Sequence, residues 1–292
     1  MSTLREPDSK GALSLEELFE QICRHSDIVE NAGKIFQVAH RIDCTVDDLR
    51  AAVQVDPVLA AHIVRRINSA YYNLSKPVHD LKQAMSVLGF YDLRNLTLVS
   101  VAARFLDQHL SATTINRSLL WQHSLGVAAA SHLLARIACR GNPAEVFAAG
   151  VIHDIGYALL DLYHRRFFQR VMAKRDPREP LYETERQILG FDHAELAARL
   201  AEAWHLPTPV VEAIRYHHIP EQYLGPHRES VYVLNVANYF CSRGGWTSLS
   251  GVAVVPPPDC AYAGLGLDSL ALSIFWDEFP GVLERSLLLA EA

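Results

Sequence analysis

The sequence has no excess of positive charge: 27 Lys and Arg stand against 33 Asp and Glu among 292 residues, a formal net charge of −6 with histidine neutral. A net acid gains little from the phosphate-driven attraction behind non-specific DNA binding, so nucleic acid is not expected as a partner. Long apolar runs are missing as well. A membrane span needs roughly 18–20 uncharged apolar residues, and the best stretch, 142–162, is interrupted by Glu145, His153, Asp154 and Asp161. Residues 2–13 are mostly polar and lack the charged-then-apolar order of a signal peptide. Cysteine is sparse: Cys23, Cys44, Cys139, Cys241 and Cys260 are odd in number and form no C-x-x-C pair. That pattern excludes a zinc ribbon or a disulfide frame and reads as reduced thiols. The chain is therefore expected to be cytoplasmic, with no membrane contact. Alternating strand segments are also absent. The one short β-branched run, 252–255, stops at Pro256-Pro257-Pro258 and reads as loop.

What is present is half hydrophobic and 21% charged, enough for a sizeable core and too apolar for a disordered chain. Helix signals recur along it. Ser14-Leu15-Glu16-Glu17 is a capping box, and Thr45-Val46-Asp47-Asp48 starts a second helix. Asp56-Pro57 combines a capping side chain with proline at the first helical position. Residues 81–88 and 91–106 read as two helices separated by Gly89. In the second half, residues 119–138, 143 to about 163, 192–204, 208 to about 217 and 231–241 are predicted helical, with a last helix from Asp268 onward. The fold class is all-α, in two closely packed helical lobes. The expected divisions are an N-terminal extension and first helix (1–27), an N-terminal lobe (28–113), a second lobe (114–241) and a C-terminal loop and helix (242–292), with Thr113-Thr114 as the break.

Fourteen histidines are the one compositional excess, and their placement matters more than their number. His153-Asp154 lies inside the apolar run Val151, Ile152, Ile155, Ala158 and Leu159, where a chargeable pair is costly to bury unpaired. Neighbours on a helix differ by about 100° in direction, so both side chains can reach one centre beside it. A metal ion would satisfy them, since imidazole and carboxylate together suit Fe, Mn, Zn or Mg. His123, His193, the pair His217-His218 and Asn238 could complete such a centre. Each falls on a separate predicted helix, as ligands do in helical bundles. One of His217 and His218 is expected to face inward.

His123, His153-Asp154 and a later helix follow the pattern of HD-type metal-dependent phosphohydrolases. His193 and His217-His218 add the extra histidines of the HD-GYP cyclic-dinucleotide phosphodiesterases. A more specific resemblance, over residues 28–241, is to the HDOD (HD-related output) domain. It is carried by Asp56-Pro57-Val58-Leu59-Ala60, Ile67-Asn68-Ser69-Ala70-Tyr71-Tyr72, Ala84-Met85-Ser86-Val87-Leu88-Gly89 and Leu93-Arg94-Asn95-Leu96. Trp121-Gln122-His123-Ser124, Leu189-Gly190-Phe191-Asp192-His193-Ala194-Glu195, Trp204-His205-Leu206-Pro207 and Ile214-Arg215-Tyr216-His217-His218 complete the ordered set. The resemblance implies an HD-like second lobe that binds a divalent metal through His123, His153, Asp154, His193, His217, His218 and Asn238. It further implies a bacterial signal-transduction module acting by protein–protein contact, with a nucleotide or cyclic dinucleotide as a candidate ligand.

Two departures shape that expectation. The last ligand of a catalytic HD site is normally aspartate, and Asn238 stands there, a poorer ligand that removes a negative charge. Tyr157 replaces the lysine that follows the HD-x-G turn in active phosphodiesterases, and no G-Y-P segment follows His217-His218. A regulatory module with a partly degenerate metal site is thus expected ahead of an enzyme. The alternatives are a metal-dependent phosphohydrolase or cyclic-dinucleotide phosphodiesterase, and a scaffold that binds neither metal nor nucleotide. No receiver or cyclase domain fits in the chain, so its input is expected to arrive by association. Asn68-Ser69 is expected to close a helix end, and Arg65-Arg66 and Arg165-Arg166 to lie on solvated faces.

Overall fold

A computed structural model describes residues 11, 13–25, 27–39, 43–70, 72–106 and 114–288. The described residues are helical with no strand. In chain order the helices are α1 (Leu15–His25), α2 (Asp27–Ala39), α3 (Val46–Gln54), α4 (Pro57–Ile67) and α5 (Leu81–Leu106). Then come α6 (Arg117–Ala138), α7 (Pro143–Ile152), α8 (Ile155–Tyr163), α9 (Arg165–Lys174) and α10 (Leu181–Leu189). The last five are α11 (His193–Ala203), α12 (Thr208–Tyr216), α13 (Arg228–Arg243), α14 (Asp259–Leu265) and α15 (Ser269–Leu287).

The caps legible in the sequence form. The Ser14 and Thr45 hydroxyls accept from the backbone N–H three residues on, while Glu17 and Asp48 return the bond. Asp56 and Asp192 cap α4 and α11 by accepting from the N–H three residues on, and Asn142 caps α7 by accepting from Ala144 N, two residues on. Asn68 closes the end of α4 as expected: its amide donates to Val64 O and Val78 O and accepts from Val78 N.

Several expectations are corrected. Residues 81–106 form one helix that runs through Gly89. An internal glycine costs about 1 kcal/mol relative to alanine, and burial of Leu93, Leu96, Val99 and Ala103 on α5 outweighs it. The segment from Pro143 to Tyr163 is two helices, broken at His153-Asp154. Helices α2, α9, α10 and α14 were not expected. In α9 only Phe168 and Val171 are fully buried, under a basic outer face. Arg66 is buried, at 2% exposure, and not on a solvated face. Of the expected Thr113-Thr114 break, Thr113 lies outside the described residues.

One apolar core runs through the described residues, from Leu18 to Leu283. Helix α6 is its axis, packed against α7, α13 and α15, while α5 reaches α6, α7 and α8 and α1 reaches α8 and α11. At Gly150 an added Cβ would lie 2.5 Å from Ala128 Cα, so only glycine lets α7 lie directly on α6. By length and composition the segment Pro143–Tyr163 is apolar enough to cross a membrane, but 83% of that window is buried inside the fold.

Candidate metal centre

The break between α7 and α8 places the chemistry. His153 ends α7 in helical conformation, and Asp154 adopts φ −100°, ψ 6°, outside the helical region, before α8 begins. This redirection brings Gly156 against the first residue of α11, where an added Cβ would sit 2.1 Å from His193 O. His153 and Asp154 therefore converge through a helix break, and not as neighbours on a continuous helix as the sequence reading assumed.

Around Asp154 the fold gathers five imidazoles. His123 comes from α6, His193 from the first turn of α11, and His217 and His218 from just beyond α12. His123 Nε2 and His153 Nε2 lie 3.5 and 3.3 Å from Asp154 Oδ2. His193 Nε2 and His217 Nε2 lie 3.3 and 3.7 Å from Oδ1. His218 Nε2 is 2.9 Å from His193 Nε2. Both members of the 217–218 pair thus reach the centre, where one was expected. The potential ligand atoms form two groups that share Asp154: His123, His153 and Asp154, and Asp154, His193, His217 and His218. Asn238, on α13, lines the cavity above them with Asp154, His217 and His218. Its amide oxygen accepts a 3.4 Å bond from Ser242 Oγ.

The other ring nitrogens are committed elsewhere. His123 Nδ1 donates to Trp246 O at 2.7 Å, His153 Nδ1 to Gly150 O at 2.9 Å, and His217 Nδ1 to Ile214 O at 2.7 Å. A carbonyl only accepts, so each of these rings carries its proton on Nδ1. Their Nε2 lone pairs are left facing Asp154, and those three nitrogens are buried with no hydrogen-bond partner. Such orphans are rare in folded proteins and call for an explanation. A divalent cation supplies one, because metal-bound histidines characteristically donate their second nitrogen to a carbonyl or carboxylate. The donor set therefore fits a metal.

His193 is held by a carboxylate. Glu185 Oε2 on α10 accepts from His193 Nδ1 at 2.7 Å and from its backbone N–H at 2.8 Å, and Glu185 is fully buried. Burial alone would lower the His193 pKa, but Glu185 and Asp154 push it up to about 10. Burial lowers His123 to about 4 and, with the neighbouring His153, lowers His217 to about 3, both against the pull of Asp154. Burial would raise the Asp154 carboxyl, yet the close approach of His153 and His193 holds it well below the usual carboxylate range. Without a cation, the result is an ionised carboxylate beside a protonated His193 and the neutral rings of His123 and His217.

The sequence reading missed Glu185, the Trp246 carbonyl and Asn235, whose amide donates to His217 O at 2.7 Å. Glu185 carried a usable signal. It sits with Leu181 and Ile188 at i, i+4 and i+7 on the buried face of α10, where an unpaired carboxylate would not survive.

The HDOD domain family model matches residues 27–220, most of the chain. The chain belongs to the HDOD family. An HDOD protein of unknown function from Geobacter sulfurreducens shares its fold, with 23% identity and a TM-score of 0.72 over 94% of this chain and 97% of the other. A Shewanella amazonensis protein provisionally described as a phosphohydrolase has 20% identity and a TM-score of 0.70, over 96% and 98%. A Marinobacter aquaeolei protein provisionally described as a signal transduction protein has 25% identity and a TM-score of 0.73, over 98% of this chain and 62% of the other. An uncharacterized Treponema pallidum protein is 27% identical over 215 residues. That alignment takes in 68% of this HDOD chain and 40% of the relative, so the chain matches less than half of the relative's length.

Proposed function

We propose that this HDOD protein is a regulatory module of signal transduction that holds a divalent cation at the Asp154 centre and acts through contacts with a protein partner. The observation that carries the metal is the convergence on Asp154 of the buried, partnerless Nε2 atoms of His123, His153 and His217. With five imidazoles to one carboxylate, the donor set suits Fe, Zn or Mn better than Mg. When bound, the cation supplies Lewis acidity toward an oxygen ligand in the cavity.

The chain's own residues favour regulation over hydrolysis. Asn238 contributes no charge where a carboxylate would lower the barrier to holding a second cation. Tyr157, in the place of a lysine, is stacked on His193 with ring centroids 3.9 Å apart, and burial keeps its phenol neutral. The cavity above the centre has a volume of about 290 Å³ and, among its described lining residues, carries Glu221 but no Lys or Arg. The charge of a phosphate ester would have no side-chain guanidinium or ammonium to meet it there.

A metal-dependent phosphohydrolase is the second reading, favoured by the cavity lying directly over Asp154, His217 and His218. The test is elemental analysis of protein purified without chelator, followed by phosphate release from cyclic dinucleotides and a generic phosphodiester with Mn or Fe supplied. Bound metal with no turnover is expected. Turnover abolished in His153→Ala would replace regulation with hydrolysis, and absence of metal even after reconstitution would remove both readings.

A further inference from the structure

A second cavity, of about 380 Å³, lies between α5, α6, α7 and α15. Its character is opposite to that of the metal centre. Arg136 from α6 and Arg285 from α15 line it, with His132 and Asn95, and no carboxylate is among its described lining residues. Both arginines are exposed, and neither forms an ion pair with any described carboxylate. By contrast Arg140, one turn beyond Arg136, is paired with Glu229 at 3.1 Å. Two guanidiniums held at one opening repel each other unless an anion lies between them, and their planar forks match phosphate oxygens. The rest of the cavity is apolar and includes the rings of Tyr72 and Phe147, with His132 set edge-on to Phe147 at 6.4 Å. The volume is at the small end of the roughly 300–1,000 Å³ typical of small-molecule sites, which suits a mononucleotide better than a dinucleotide.

We propose that this cavity binds a mononucleotide-sized phosphate ester, with Arg136 and Arg285 on the phosphate and the planar ring of the ligand against Tyr72 and Phe147. The proposal is independent of the metal centre, since it uses none of that centre's residues. Charge-assisted hydrogen bonds of this kind support about a tenfold loss of affinity for each arginine removed.

The test is calorimetric titration of the full chain with AMP, GMP, their 3′,5′-cyclic forms and inorganic phosphate, with and without EDTA. At least one nucleotide is expected to bind, to keep binding measurably in EDTA, and to lose about tenfold in Arg136→Ala or Arg285→Ala. Both arginines are exposed, so the variants should keep wild-type helicity and melting temperature. Tyr72→Leu should weaken the nucleotide while leaving any phosphate binding unchanged. The proposal is overturned if no nucleotide binds, if inorganic phosphate binds as tightly as the nucleotide, or if the arginine variants bind like wild type.

Discussion

Glu185→Gln isolates the part of the centre that the sequence concealed. One oxygen of Glu185 holds both the ring Nδ1 and the backbone N–H of His193, and it does so fully buried. Glutamine preserves the volume and one acceptor oxygen but removes the negative charge that makes His193 Nε2 a strong donor. Losing such a supporting partner costs about 10–100-fold in metal affinity, equivalent to about 1.4–2.8 kcal/mol. Because the amide oxygen still orients the ring, Glu185→Gln should fall near tenfold. Glu185→Ala removes orientation as well and should approach a hundredfold. Competition for Fe, Zn or Mn against a fluorescent chelator reads this directly, with exposed Glu183→Gln on the same helix as the control. If Glu185→Gln matches wild type while Glu183→Gln does too, His193 is not a ligand and the two-group description of the centre fails.

Three further outcomes follow from the same geometry. In chelator-treated protein, His123 and His217 titrate near 4 and 3 when folded, against an ordinary value near 6.5. The unfolded chain therefore binds protons first, and stability falls as pH drops from about 6.5 toward 4. His193, raised to about 10, contributes fully below about 6.5 and loses its contribution as pH climbs toward 10. Denaturant midpoints should thus peak near neutrality, and a flat profile from pH 5 to 9 would contradict these assignments. Gly156→Ala drives a Cβ into the His193 carbonyl. It should cost about 1–3 kcal/mol or more by overpacking and weaken metal binding with it; a thermal melt and a metal titration both unchanged would refute the close α8–α11 contact. Iodoacetamide should modify exposed Cys23, Cys139 and Cys260 in the native protein, but not Cys241, which is fully buried and whose thiol burial pushes up. Peptide mass spectrometry would show Cys241 labelled only after denaturation.

What the sequence disclosed was local in its physics. Asp56, Asn142 and Asp192 announce helix starts because each cap closes within three residues of itself. Two of the ligand orientations are equally local: His153 and His217 each bond the carbonyl three residues back, an acceptor left over at a helix end. The remaining orientations are not. His123 is turned by a carbonyl 123 residues away, at Trp246, and His193 by Glu185, on a helix whose charged and polar residues disguised it. The helix break at His153-Asp154 was hidden for a related reason. Apart from His153-Asp154 itself, residues 151–159 are apolar on every side because the segment is buried on every side, so no periodicity marks where one helix stops. In the same way Gly89 looked like a stop, and only the tertiary burial of α5 carries the helix through it.

Helix α6 contributes His123 to the metal centre and His132 and Arg136 to the second cavity, and that gives the two sites a means of communicating. His123 lies near its start, and His132 and Arg136 lie nine and thirteen residues further on, about 14 and 20 Å along the axis at 1.5 Å per residue. The segment between is buried almost throughout and packs directly on α7, where Gly150 leaves no slack. A ligand drawing Arg136 and Arg285 together would press α15 against α6, and any displacement of α6 along its axis moves His123 relative to Asp154. Coupling of this kind is typically worth about 1–3 kcal/mol, or 5–150-fold. Metal affinity measured with and without a nucleotide that binds should therefore change by at least about fivefold. Linkage then demands that the metal change the nucleotide affinity by the same factor. Equal metal affinities in the two conditions would mean that α6 is rigid enough to keep the sites independent, and a partner protein would have to read each one separately.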